Sequence, residues 1–155
     1  MATQIKVLLV EDLPSDALLV LREIKKNDIE ILSHTVDSQE EYVAELREFQ
    51  PDIILSDYNL PAFNGMKALC LRKEMAPHTP FILVTGTNNE ETAVECMKAG
   101  ADDYIIKENL KRLGQAFMAA LEKKALSQSN RDAHEKLSIL SRAVEQNPAL
   151  IVITN

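Results

Sequence analysis

Two cysteines are all that this 155-residue chain contains. Cys70 and Cys96 both fall in predicted helices, with no CxxC motif and no Cys/His cluster beside them. That spacing suggests neither a disulfide framework nor a thiolate metal site, and it fits a reducing cytoplasm. Long apolar runs are missing too: Met1 to Lys6 leads directly into a strand pattern, so neither a signal peptide nor a membrane span is expected and the chain reads as soluble. Positive charge is also in short supply, with 17 Lys and Arg against 24 Asp and Glu and a formal net charge of -7. Nucleic-acid binding needs clustered cations that are not balanced by acids, so no nucleic-acid contact is expected from this segment. The 46% hydrophobic and 26% charged content is ordinary for a globular chain, and this length suffices for one well-filled core with a modest appendage.

What the sequence does have is four short apolar runs, each ending in a charged or hydroxylic residue. Val7-Leu8-Leu9-Val10 precedes Glu11-Asp12, and Ile53-Ile54-Leu55-Ser56 precedes Asp57. Phe81-Ile82-Leu83-Val84 precedes Thr85, and Tyr104-Ile105-Ile106 precedes Lys107. Each run is too short for a helix and rich in β-branched residues, as in strands of a parallel sheet buried on both faces.

Helical patterns separate the runs. Pro14-Ser15-Asp16 opens a stretch with Ala17, Leu18, Leu21 and Ile24 at helical spacing, closed by Lys25-Lys26. Glu30 to Thr35 reads as a second strand, and Ser38 with Glu41 forms a capping box for a helix to about Glu48. Asn64-Gly65 precedes a helix with Ala68, Leu69, Leu71 and Met75. Asn88-Asn89 caps another, which bears Ala93, Val94, Met97 and Lys98 and stops at Gly100. Five strand-helix units joined by right-handed crossovers imply an α/β fold, a flavodoxin-like (βα)5 doubly wound parallel sheet with strand order 2-1-3-4-5. In that order the first and third strands are neighbours at the switch point, so Glu11-Asp12 and Asp57 converge where such sheets bind ligands.

Three converging carboxylates repel one another, and a hard cation such as Mg²⁺ relieves the repulsion. Mg²⁺ favours one or two carboxylates together with phosphate oxygens, and the Thr85 hydroxyl and Lys107 ammonium suit a tetrahedral anion. Phosphoryl chemistry follows, with Asp57 as nucleophile. Taken singly, each of these residues is an ordinary turn residue; their order at four strand ends gives the set its meaning. His34, His78 and His134 stand apart from any matching ligand cluster.

Over about residues 5 to 124 the chain resembles the receiver domains of two-component response regulators. The motifs that carry the likeness are Glu11-Asp12, Asp57-Tyr58-Asn59-Leu60-Pro61 with Gly65 after it, Thr85-Gly86, and Gly100-Ala101-Asp102-Asp103-Tyr104. The resemblance implies that Asp57 accepts a phosphoryl group from a histidine kinase or phosphotransfer protein. It also implies that Asp12 and Asp57 ligate Mg²⁺ directly, that Glu11 acts through water or orientation, and that Asn59 adds its backbone carbonyl. Thr85 and Tyr104 would be the switch pair, and Lys107 would hold a phosphoryl oxygen. One position departs from the pattern: the family usually has a cis proline after the lysine, where this chain has Glu108. A cis bond to a non-proline residue costs roughly 3 kcal/mol, so the expectation is a trans connection with a reshaped loop or else a strained cis bond. Two other readings stand beside the phosphoacceptor: a degenerate receiver used for dimerisation or docking, and an Asp-nucleophile phosphatase. The latter normally needs a second acid where this chain has Asn59.

A further helix is expected from Asn109, with Leu110, Leu113, Phe117, Ala120 and Leu121 on the face that covers the sheet. The helical pattern continues past 124. Over 125–146, Leu126, Asn130, Ala133, Leu137, Leu140 and Val144 alternate four and three apart, as in a coiled-coil seam that would pair two copies, or in a single solvated helix. Asn147-Pro148 breaks the pattern, and Ala149 to Thr154 reads as a strand in the truncated start of a further domain, 147–155, resembling the entry to a PAS domain.

Overall fold

The computed structural model describes residues 4–27, 29–58, 60–61, 63–86 and 90–126. The chain divides into two compact units, Met1–Leu121 and Glu122–Asn155. In the second unit only 122–126 are described, and they are helical. The seam beyond Leu126, the strand pattern at 149–154, Asn59 and the Asn88-Asn89 cap lie outside the described residues.

In the first unit five strands, β1 (Ile5–Val10), β2 (Ile31–Val36), β3 (Ile53–Ser56), β4 (Phe81–Thr85) and β5 (Asp103–Ile106), form one sheet in the order β2-β1-β3-β4-β5. Every pairing is parallel. Helices α1 (Pro14–Lys25), α2 (Gln39–Glu48), α3 (Gly65–Met75) and α4 (Glu90–Lys98) connect the strands, and residues 113–121 are helical (α5). This is the expected doubly wound sheet.

Strand alternation sorts the core into two halves. Val7, Leu9, Ile53, Leu55, Ile82, Val84 and Ile105 pack on one side with Ala17, Val20 and Ile24 of α1 and Leu113, Ala116, Phe117 and Ala120 of α5. Leu8, Val10, Ile54, Phe81 and Leu83 pack on the other with Tyr42, Leu46, Ala68, Leu69 and Cys96 of α2 to α4. Some apolar residues of the helical patterns stay outside: Leu18 on α1 and Val94 and Met97 on α4 are exposed.

Local chemistry fixes the helix ends. Ser38 Oγ accepts from the Glu41 amide at 3.2 Å, and Asn64 Oδ1 accepts from the Lys67 amide at 2.8 Å. After α4 the Ala101 amide donates to the Cys96 carbonyl and the Gly100 amide to that of Met97. This is a Schellman closure, which needs the positive φ of Gly100, 112°.

The last connection differs from expectation. The α-helix does not begin at Asn109: Lys107–Arg112 form a 3-10 segment in which Asn109 has non-helical φ and ψ of -128° and 57°. The Lys107–Glu108 peptide is trans. The backbone leaves β5 through two short 3-10 turns kinked at Asn109, and Arg112 ties them back through two hydrogen bonds to the Asp103 carboxylate at 3.1 and 3.3 Å.

Candidate functional site

Sheet register builds the site. Val10 pairs with Ser56, so Glu11 and Asp57 are the next residues on adjacent strands, and the Asp57 amide donates to the Val10 carbonyl at 2.9 Å. The carboxylates of Glu11, Asp12 and Asp57 each offer an oxygen, all within 4.8 Å of one another. Glu11 and Asp57 are buried and Asp12 is half-buried.

Lys107 reaches this notch from the end of β5. Its Nζ donates to Glu11 Oε2 at 2.8 Å, Asp57 Oδ2 at 3.0 Å and Asp16 Oδ2 at 2.7 Å. An ammonium has three protons to donate, and these three carboxylates match them. Sequence reasoning missed Asp16, which reads as an ordinary first-turn acid of α1. Only the fold shows that the first turn of α1 faces the end of β5.

The charges are unbalanced. Burial raises the Glu11 carboxyl above its ordinary value; the hydrogen bond from Lys107 opposes this, and the neighbouring Asp57 charge adds to it. For Lys107 burial acts to lower the pKa, but hydrogen bonds to Asp16, Glu11 and Asp57 outweigh it and hold the ammonium above the ordinary lysine range. One ammonium therefore leaves the notch short of positive charge. A set of carboxylate oxygens at this spacing is the donor chemistry of a hard divalent cation, so the residues present fit Mg²⁺.

The other expected side chains, Thr85 and Tyr104, lie on one face of neighbouring strands. Thr85 is fully buried at the end of β4. Alternation places it on the face of Phe81 and Leu83, the same face on which Tyr104 packs half-buried. Tyr104 pairs with Leu83 in the sheet register.

Gly65 has a steric role. A Cβ there would lie 2.9 Å from the Asp57 carbonyl oxygen, from Tyr58 Cα and from Leu83 Cδ1. The Gly65 amide donates to the Tyr58 carbonyl at 2.9 Å, so the start of α3 presses against the backbone that carries Asp57.

Residues 7–118 match the family described as Response regulator receiver domain, and the chain belongs to that family. Among individual proteins, the regulatory protein AtoC of Escherichia coli is 39% identical over 95 residues, 59% of this chain and 20% of that protein. The chemotaxis protein CheY of Thermotoga maritima is 28% identical over 102 residues, 66% of this chain and 84% of that one. The chain spans only about a fifth of the length of AtoC and of the LuxO protein of Vibrio cholerae. Among solved structures, the signal receiver domain of a putative LuxO repressor from Vibrio parahaemolyticus superposes with a TM-score of 0.72 at 26% identity, covering 81% of this chain and 96% of that one. The phosphorylated cyanobacterial phytochrome response regulator RcpA gives 0.62 at 28% identity, covering 73% and 88%.

Membership makes this a phosphoacceptor module of two-component signalling. Receivers of this family work with histidine kinases or phosphotransfer proteins, and they bind Mg²⁺ in general. No helix among the described residues is long and apolar enough to cross a membrane.

Proposed function

We propose that Asp57 is the residue phosphorylated, and that a histidine kinase or phosphotransfer protein supplies the group. The observation that carries this reading is the convergence of Glu11, Asp12 and Asp57 within 4.8 Å, with the Lys107 ammonium 3.0 Å from Asp57 Oδ2. An Asp57 carboxylate oxygen attacks phosphorus in line: an O–P bond forms, the P–N bond of the phosphohistidine breaks, and the imidazole leaves with the electron pair and takes up a proton. Mg²⁺, held by Asp12 and Asp57 with Glu11 nearby and the Asn59 backbone carbonyl as a further ligand, would neutralise phosphoryl oxygens. Lys107 offers its ammonium to the oxygen on its side. Thr85 and Tyr104, on one face of neighbouring strands, are the switch pair that reports the new charge. The solved relative RcpA, itself in a phosphorylated form, supports this chemistry by likeness.

The same reading assigns 1–124 to the receiver, 125–146 to a helical linker able to pair two copies, and 147–155 to the start of a PAS-like domain, on the sequence pattern alone. A cytoplasmic setting suits the two free thiols, Cys70 and Cys96. Intact-mass measurement after incubation with acetyl phosphate and Mg²⁺ tests the assignment. One labile phosphoryl adduct is expected on the wild type and none on Asp57→Asn. An adduct that survives in Asp57→Asn would refute it.

A further inference from the structure

Asp16 makes the shortest of the three Lys107 contacts, 2.7 Å, yet it lies outside the group of carboxylates placed to hold a cation. Glu11 and Asp57 have other work: Glu11 Oε1 also accepts from the Leu13 amide at 3.2 Å, and Asp57 is the acceptor itself. Asp16 sits in the first turn of α1, whose N-cap residue Leu13 makes no side-chain cap bond. Lys107 begins a 3-10 segment rather than a proline-fixed turn, and its four-carbon stem is flexible.

From this geometry we infer that Asp16 is a positioning residue for phosphoryl transfer: it tethers the Lys107 ammonium beside Asp57 before and after the phosphoryl group arrives. The inference rests on the phosphoacceptor reading above. Phosphorylation turns one Asp57 oxygen into an acyl phosphate oxygen, and a bound cation draws on Glu11 and Asp57, so both carboxylates weaken as partners for Lys107. Asp16 undergoes neither change. Its hold does not draw the ammonium away from the reacting centre, because Lys107 touches Asp16 and Asp57 at once. Loss of Asp16 therefore frees the lysine to stray and slows the reaction.

The test uses the full chain as wild type, Asp16→Asn, Asp16→Glu, Lys107→Ala and the Asp16→Asn/Lys107→Ala double variant, phosphorylated by acetyl phosphate with Mg²⁺. Asp16→Asn is expected to lower the phosphorylation rate constant roughly tenfold, the scale of one charge-assisted hydrogen bond. Asp16→Glu, which keeps the charge, should recover much of that loss. In the Lys107→Ala background Asp16→Asn should cost nothing more, because Asp16 acts through the lysine. A wild-type rate in Asp16→Asn, or the same loss with and without Lys107, overturns the inference; the second result would mean that the residue merely stabilises α1. Solvent exchange of the Lys107 ammonium protons, followed by NMR without phosphodonor, reads the tether separately and should speed up in Asp16→Asn. Equal exchange in both proteins overturns the tether, whereas a wild type that takes no phosphate overturns the assignment of Asp57.

Discussion

Lys107 Nζ lies 3.0 Å from Asp57 Oδ2, joining the ends of β5 and β3 across fifty positions of sequence. The contact exists because β4 alone separates those strands. It makes Lys107 the counter-charge of the acidic notch before any cation arrives.

Replacing Lys107 with alanine should therefore leave several carboxylates without compensation. In metal-free buffer the variant is expected to lose about 3 kcal/mol of stability, the scale for breaking a largely buried ion pair. Urea unfolding measures this. Added Mg²⁺ should stabilise Lys107→Ala more than the wild type, because the cation then relieves a larger imbalance.

Glu11 gives a pH dependence of opposite sense to the usual acid. Its folded pKa is raised above the ordinary 4.5, so the native protein holds that proton more tightly than the unfolded chain. The stability this contributes is fully present below the unfolded pKa and is lost as pH rises through the higher folded value. Glu11→Gln, neutral throughout, should raise the metal-free melting temperature at pH 7, and the gap should close as pH falls toward 4. Melting curves across that range check the sign.

Gly65→Ala forces a Cβ to within 2.9 Å of the Asp57 and Tyr58 backbone, which cannot yield as a side-chain tip can. A loss of about 2 kcal/mol is expected, with a displaced Asp57 loop. Phosphorylation by acetyl phosphate should slow further than the stability loss explains, measured at a temperature where the variant is fully folded.

Tyr42 supplies a control on α2, an element that contributes no carboxylate to the notch. Its hydroxyl donates to the Ala68 carbonyl at 2.7 Å, in full burial between α2 and α3. Tyr42→Phe removes that bond while the carbonyl keeps its place in the helix ladder of α3, and should cost about 1 kcal/mol, with the phosphorylation rate unchanged.

Much of this was legible before any coordinates. Alternating strand and helix patterns imply a doubly wound parallel sheet, and the order 2-1-3-4-5, which follows most naturally from them, brings Glu11, Asp12 and Asp57 together at one end of that sheet. Asp16 was not legible: a first-turn acid looks the same whether it faces solvent or a lysine ninety-one residues away, and only tertiary packing decides. The start of α5 was misplaced for a related reason. Leu110 and Leu113 fit a helical face, but three-residue spacing fits a 3-10 turn equally well, and the pattern cannot tell where one gives way to the other. Leu18, Val94 and Met97 lie at helical spacing and remain exposed, since periodicity identifies a helix better than it identifies which apolar residues the sheet covers.

The central claim is that Asp57 carries the phosphoryl group, and borohydride reduction tests it most directly, since it converts an acyl phosphate of aspartate to homoserine. After phosphorylation with acetyl phosphate and Mg²⁺, reduction and peptide mass mapping, homoserine is expected at position 57 and nowhere else. Homoserine at Asp12 or at another aspartate, or the corresponding five-carbon hydroxy amino acid at a glutamate such as Glu11, with position 57 still aspartate, would contradict the account.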